Sequence, residues 1–128
     1  MMTAGTNHLD PDPFFFVKSG MKGKVVRIPV EEIVYIEAAQ NYVLIHLEND
    51  QYLTYLTMKE FEEVLDPARF IRIHKSFIIN FNMIRSIENG AVILKNKKAL
   101  LIGSHFRANL DNQVQPKLLQ SKRQHGNK

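Results

Sequence analysis

The run Phe70-Ile71-Arg72-Ile73-His74-Lys75-Ser76-Phe77-Ile78-Ile79-Asn80 constrains this chain more than any other stretch. Apolar β-branched and aromatic residues stand on both sides of a polar triplet, His74-Lys75-Ser76, that contains neither Gly nor Pro. Flanks of that composition read as strands. A polar triplet held between them is displayed at an edge of the fold, without the looseness of a glycine turn. Together with Arg72 it offers a group of hydrogen-bond donors, which suits an acceptor-rich partner such as nucleic acid. The plainer alternative is a solvated connection between two strands.

The rest of the chain divides into elements of similar length. Phe14-Phe15-Phe16-Val17-Lys18 and residues 24–28 are expected strands of a hairpin, joined through Ser19-Gly20-Met21-Lys22-Gly23, and Pro29 ends the second by removing a ladder donor. Ile33-Val34-Tyr35-Ile36-Glu37-Ala38 hardly alternates, as a strand covered on both faces would. After Ala39-Gln40-Asn41, residues 42–48 do alternate, with Val43, Ile45 and Leu47 on one face. Asn49-Asp50 turns into a strand over 51–56. Thr57-Met58-Lys59-Glu60 is a capping box that opens the one well-marked helix, whose stripe of Phe61, Val64 and Leu65 faces a core before Asp66-Pro67 stops it. Residues 83–88 and 91–95 flank Asn89-Gly90, the strongest short hairpin signal, and Asn96-Lys97 leads into a strand over 98–102. Gly103 breaks that strand, and residues 104–110 are expected to start a short helix capped by Ser104. The pattern is mostly β. Residues 1–13, with Asp10-Pro11-Asp12-Pro13, read as a disordered lead-in, 14–112 as one domain, and 113–128 as a polar, basic tail.

Composition narrows the function. No Cys is present, which excludes disulfides and thiolate chemistry, and no apolar segment approaches the roughly 20 residues of a membrane span. A cytoplasmic protein that does not engage a membrane is expected. Residues 1–66 carry 5 Lys/Arg against 11 Asp/Glu, whereas residues 67–128 carry 12 against 2. A strongly basic half favours a polyanionic partner. The six Gly are scattered, so there is no phosphate-binding loop. Gly103-Ser104-His105 lacks the second Gly of a nucleophile elbow. The five His, at 8, 46, 74, 105 and 125, show no paired ligand spacing. Glu60, Glu62 and Glu63 read as a solvated helix surface. Neither catalysis nor a metal nor a small-molecule cofactor is expected.

Three polar loci remain, spaced by about 30 residues: Gln40-Asn41-Tyr42, Arg72 with His74-Lys75-Ser76, and Ser104-His105 with Arg107. Asn41 suits the adenine edge, and Lys75 or Arg107 suits guanine. Tyr42, His74, Ser76 and Ser104 can donate to phosphate oxygens, which sets register without reading sequence. Each locus alone has a local explanation, such as Asn in a turn or Ser at a helix start. The second reading of all three is a non-catalytic β interaction module that binds a protein through the same loops.

The segments Phe14-Phe15-Phe16-Val17-Lys18, Ile28-Pro29-Val30-Glu31-Glu32-Ile33-Val34-Tyr35-Ile36-Glu37-Ala38, Asn41-Tyr42-Val43, the run Phe70 to Asn80, Ile84-Arg85-Ser86-Ile87 and Ile102-Gly103-Ser104 occur in this order. Over about residues 14–112 the chain resembles the LytTR DNA-binding domain, the output module of many bacterial response regulators. The resemblance implies an elongated, mostly β fold of about ten short strands in stacked sheets with one or two short helices. It implies a sequence-specific transcription regulator whose loops enter successive major grooves of double-stranded DNA, with a second copy on direct-repeat sites. By position, Asn41, Lys75 and Arg107 correspond to the main DNA-contacting side chains, with His74, Ser104, His105 and Arg72 around them. The sequence departs from the family where Gly103 is followed directly by Ser104, without the usual basic residue. No receiver domain is recognisable before the module, as in a stand-alone regulator or an output-domain fragment.

Overall fold

The structure is a computed structural model that describes residues 12–123; positions 1–11 of the expected lead-in and the last five residues of the expected tail lie outside the described residues. In chain order the elements are β1 (Phe14–Ser19), β2 (Lys24–Pro29), β3 (Ile33–Ala39), β4 (Tyr42–Leu47), β5 (Gln51–Thr54), α1 (Met58–Val64), β6 (Phe70–His74), β7 (Phe77–Asn80), β8 (Ile84–Glu88), β9 (Ala91–Leu94), β10 (Ala99–Leu101) and α2 (Arg107–Val114). The mostly β expectation holds. Every paired strand is antiparallel, in three sheets: β1-β2, the five-stranded β5-β4-β3-β7-β6, and β10-β9-β8. No helix among the described residues is long and apolar enough to cross a membrane.

The five-stranded sheet separates two hydrophobic cores. One is built from Val17, Val26 and Ile28 of the β1-β2 hairpin, Phe61 of α1, and Ile36, Val43, Ile45 and Ile78 of the central sheet. The other is built from Tyr35, Ile71, Ile73 and Ile79 of that sheet with Val92, Leu94, Leu100 and Leu110 from the third sheet and α2. The lack of alternation in β3 follows from this, since Ile33, Val34, Tyr35 and Ile36 are all buried. A register shift against β4 between Ile33 and Tyr35 inserts one extra residue. Ile33 therefore joins the first core while Val34 and Tyr35 both join the second.

Local chemistry accounts for several boundaries. In the capping box, the Glu60 N–H donates to Thr57 Oγ1 (3.0 Å) and the Thr57 N–H to Glu60 Oε1 (2.8 Å), as expected. Asn89 and Gly90 both have positive φ (50° and 77°), the geometry of the tight turn that matches strand twist. β5 stops at Thr54, two residues earlier than expected, where the Thr54 hydroxyl accepts the N–H of Leu56 and takes the chain off the ladder. Met83 belongs to a 3-10 segment, Phe81–Met83, because Asn80 accepts the Asn82 N–H and starts a turn there. α2 continues through Gln113 to Val114, which packs against the second core.

Candidate nucleic-acid interface

All three polar loci lie toward one end of the five-stranded sheet. The β3-β4 register Ala39↔Tyr42 leaves Gln40-Asn41 as a two-residue turn, and Gln40 takes φ 51° there. The pairs Glu37↔Phe77 and His74↔Phe77 put the β6-β7 turn, Lys75-Ser76, at that same end. Two backbone hydrogen bonds tie the loci together. The Ala38 N–H donates to the Ser76 carbonyl (2.9 Å), joining the end of β3, which leads into the first locus, to the second. The Gly103 N–H donates to the Ile73 carbonyl (2.7 Å), joining the third to the second. β6 is an edge strand, so this bond also covers part of an edge that would otherwise offer itself to another chain.

Within the second locus, Lys75 is exposed and makes no ion pair among the described residues. The Ser76 N–H donates to His74 Nδ1 (3.0 Å), which leaves Nε2–H as the donor of the neutral ring. Arg72 is placed differently. Its Nε–H donates to the His74 carbonyl (3.1 Å), one Nη to the Lys75 carbonyl, and the other Nη to Glu62 Oε1 (2.8 Å). Its guanidinium carbon lies 5.5 Å from the centroid of the Phe106 ring. All three guanidinium nitrogens are thus engaged inside the protein, and Glu62, expected to be merely solvated, is its charge partner.

The third locus starts with a 3-10 segment, Ser104–Phe106, that runs directly into α2. Here the Ser104 cap fails: Gly103 occupies the cap position and no side chain caps either helical segment. The Phe106 N–H instead donates to the Gly103 carbonyl (2.9 Å), closing the first turn on backbone alone. Ser104, His105 and Arg107 are exposed. Arg107 Nε donates to Asp111 Oδ1 (3.2 Å), one turn further along α2. Asn109 Nδ2 donates to the Arg72 carbonyl (3.3 Å), a second bond from this locus to β6.

The sequence profile of the LytTr DNA-binding domain matches residues 23–115. The chain belongs to the LytTr DNA-binding domain family. This LytTr domain is similar to the transcriptional regulatory protein YpdB of Escherichia coli K12, 32% identical over 77 residues that make up 58% of the chain and 32% of the relative. It is similar to the transcriptional regulatory protein LytR of Staphylococcus aureus MW2, 32% identical over 88 residues (65% of the chain, 36% of the relative), and to the sensory transduction protein LytT of Bacillus anthracis, 34% identical over 64 residues (50% and 26%). The chain thus spans about a quarter to a third of the length of the curated relatives it matches. In fold it is similar to a solved LytTr DNA-binding domain from Bacillus cereus, with a TM-score of 0.69, 21% identity, and coverage of 77% of this chain and 95% of the other.

The LytTr domain uses residues at this end that their local sequence does not single out. Glu62, Phe106 and Asn109 enter through contacts with Arg72. Gly103 does so by lack of a side chain: a Cβ there would lie 3.2 Å from Phe106 Cδ2. The spacing of Phe61, Val64 and Leu65 shows only that Glu62 points away from the core. That it meets Arg72, ten residues on, depends on how α1 lies against β6.

Proposed function

We propose that this LytTr domain binds double-stranded DNA sequence-specifically as the DNA-reading part of a transcription regulator, with its three loci entering successive major grooves. The observation that carries this reading is the pair of backbone bonds that gathers all three loci at one end of the sheet. Asn41 addresses an adenine edge, and Lys75 and Arg107 address guanine. Tyr42, His74, Ser76, Ser104 and His105 donate to phosphates and set the register. The relatives YpdB and LytR bear the name transcriptional regulatory protein, which supports the regulatory role. Lys117, Lys122 and Arg123, all exposed, add attraction that is uniform over sequences. Two copies on direct repeats complete the proposed complex.

Selection from a randomised duplex pool, followed by anisotropy titration of the recovered duplex at two salt concentrations, tests the reading. A recovered motif that binds far more tightly than its scrambled counterpart is the expected result. Enrichment of no motif, with weak and wholly salt-driven binding, would overturn it and favour a protein partner for the same loops.

A further inference from the structure

Three successive carbonyls of the β6-β7 turn are consumed inside the protein. Those of His74 and Lys75 accept from Arg72, and that of Ser76 accepts from the Ala38 N–H. With these carbonyls turned inward the outer face of the turn is relieved of acceptors while the Lys75 side chain stays exposed on it, which is the polarity a polyanion requires. Two of the three bonds come from one guanidinium, whose side chain is only 17% exposed and whose charge is offset by Glu62 on α1. The same group lies over Phe106, and the Arg72 carbonyl accepts from Asn109, so this one residue touches α1, the Lys75 turn, the 3-10 segment and α2. A planar fork with five donors can hold two carbonyls and a carboxylate at once, whereas the single ammonium of Lys cannot do so in the same plane.

We infer that Arg72 is a positioning residue: it turns the carbonyls of the Lys75 turn away from DNA and locks the second and third loci in one relative placement, while Glu62 keeps its charge from the phosphates. The inference rests on the duplex reading above and gives Arg72 a role without DNA contact. It also identifies Glu62, on a helix apart from the loci, as part of the device.

Two variants test it on the selected duplex and its scrambled counterpart. R72K keeps the charge and loses the fork. The inference expects its affinity for the selected duplex to fall about tenfold, the range of a misplaced base contact, with scrambled-duplex affinity and salt slope unchanged. The charge-neutral pair R72Q/E62Q is expected to show the same loss at the same slope. A direct phosphate contact would instead leave R72K near wild type and make the slope of R72Q/E62Q shallower by about 0.9, the counterion release of one phosphate. Either of those results overturns the inference. Thermal unfolding identifies a variant that fails to fold, and the other then carries the test. If wild-type protein shows no preference for any duplex, the DNA reading falls separately. Amide exchange at Lys75 and Ser76 then decides the positioning role: acceleration in R72K upholds it, and wild-type exchange removes it.

Discussion

Gly103 and Phe106 approach so closely that the smallest side chain at Gly103 would press on the ring, 3.2 Å from Cδ2, with His74 Cα and Cδ2 at 3.5 Å. The backbone of Gly103 is ordinary extended chain (φ −73°, ψ 144°), so a substitution there meets no backbone strain and its cost in the folded state is the close approach alone. Gly103→Ala is therefore expected to shift the 3-10 segment against β6. Because the half-buried ring can give way, stability should fall by about 1 kcal/mol, the low end for overpacking. Affinity for the selected duplex should fall while scrambled-duplex affinity stays constant. A denaturant titration and paired anisotropy titrations check both halves.

Arg107 and Asp111 form an ion pair in which both side chains are about half exposed. Such pairs contribute about 0.3–0.5 kcal/mol. Asp111→Asn should thus leave the unfolding midpoint nearly unchanged. It removes an anion and releases a cation at the third locus, so duplex affinity should rise and its salt slope steepen. Arg107→Ala should cost about 1–3 kcal/mol of specific affinity and relax preference at one base pair. Retained specificity in Arg107→Ala would take this side chain out of the readout.

Asn80 is 1% exposed and both ends of its amide are used: Nδ2 donates to the Ile33 carbonyl (2.9 Å) and Oδ1 accepts the Asn82 N–H (3.0 Å). Asn80→Ala leaves the Ile33 carbonyl without this donor and removes the start of the turn after β7. The expected loss is about 1–3 kcal/mol, that of an orphaned buried polar group. Urea unfolding would show it as a lower midpoint at unchanged slope.

Burial first, and the neighbouring Glu37 carboxylate second, push the Tyr35 phenol above its ordinary value. The folded state therefore resists ionising Tyr35 more than the unfolded chain does. The stability linked to its neutral form is fully present below about pH 10, the ordinary tyrosine value, and is lost as pH rises from there through the folded value. Tyr35→Phe keeps a ring stacked near His46 (centroids 4.1 Å apart in the wild type) and should flatten that alkaline loss. Unfolding free energies of the two proteins on either side of pH 10 measure it.

What could be read from the chain divides by the range of the forces involved. The Asn89-Gly90 turn and the Thr57–Glu60 box were readable because each closes within four residues. The polar triplet at 74–76 was readable as a displayed turn because apolar runs on both sides fix where the strands lie. Arg72 was not readable as an inward-facing group. Its fate is set by Glu62 and Phe106, which approach it only through tertiary packing. Ser104 misled for the opposite reason: its sequence context suits a cap, but the Gly103 carbonyl closes the turn first. β5 fell short by two residues because the Thr54 hydroxyl bonds the backbone locally.

The central sheet makes the two cores neighbours that share their strands, and the extra residue in β3 gives each of them two residues from one short stretch. Because Ile33 and Ile36 line one compartment while Val34 and Tyr35 line the other, β3 is a party wall common to both. Melting either compartment is expected to strip that wall and open its neighbour to water. Heating should therefore show one sharp transition, seen alike by a probe in the hairpin and a probe in α2. If that single transition is observed, the loci at the end of the sheet share it and are presented together or not at all.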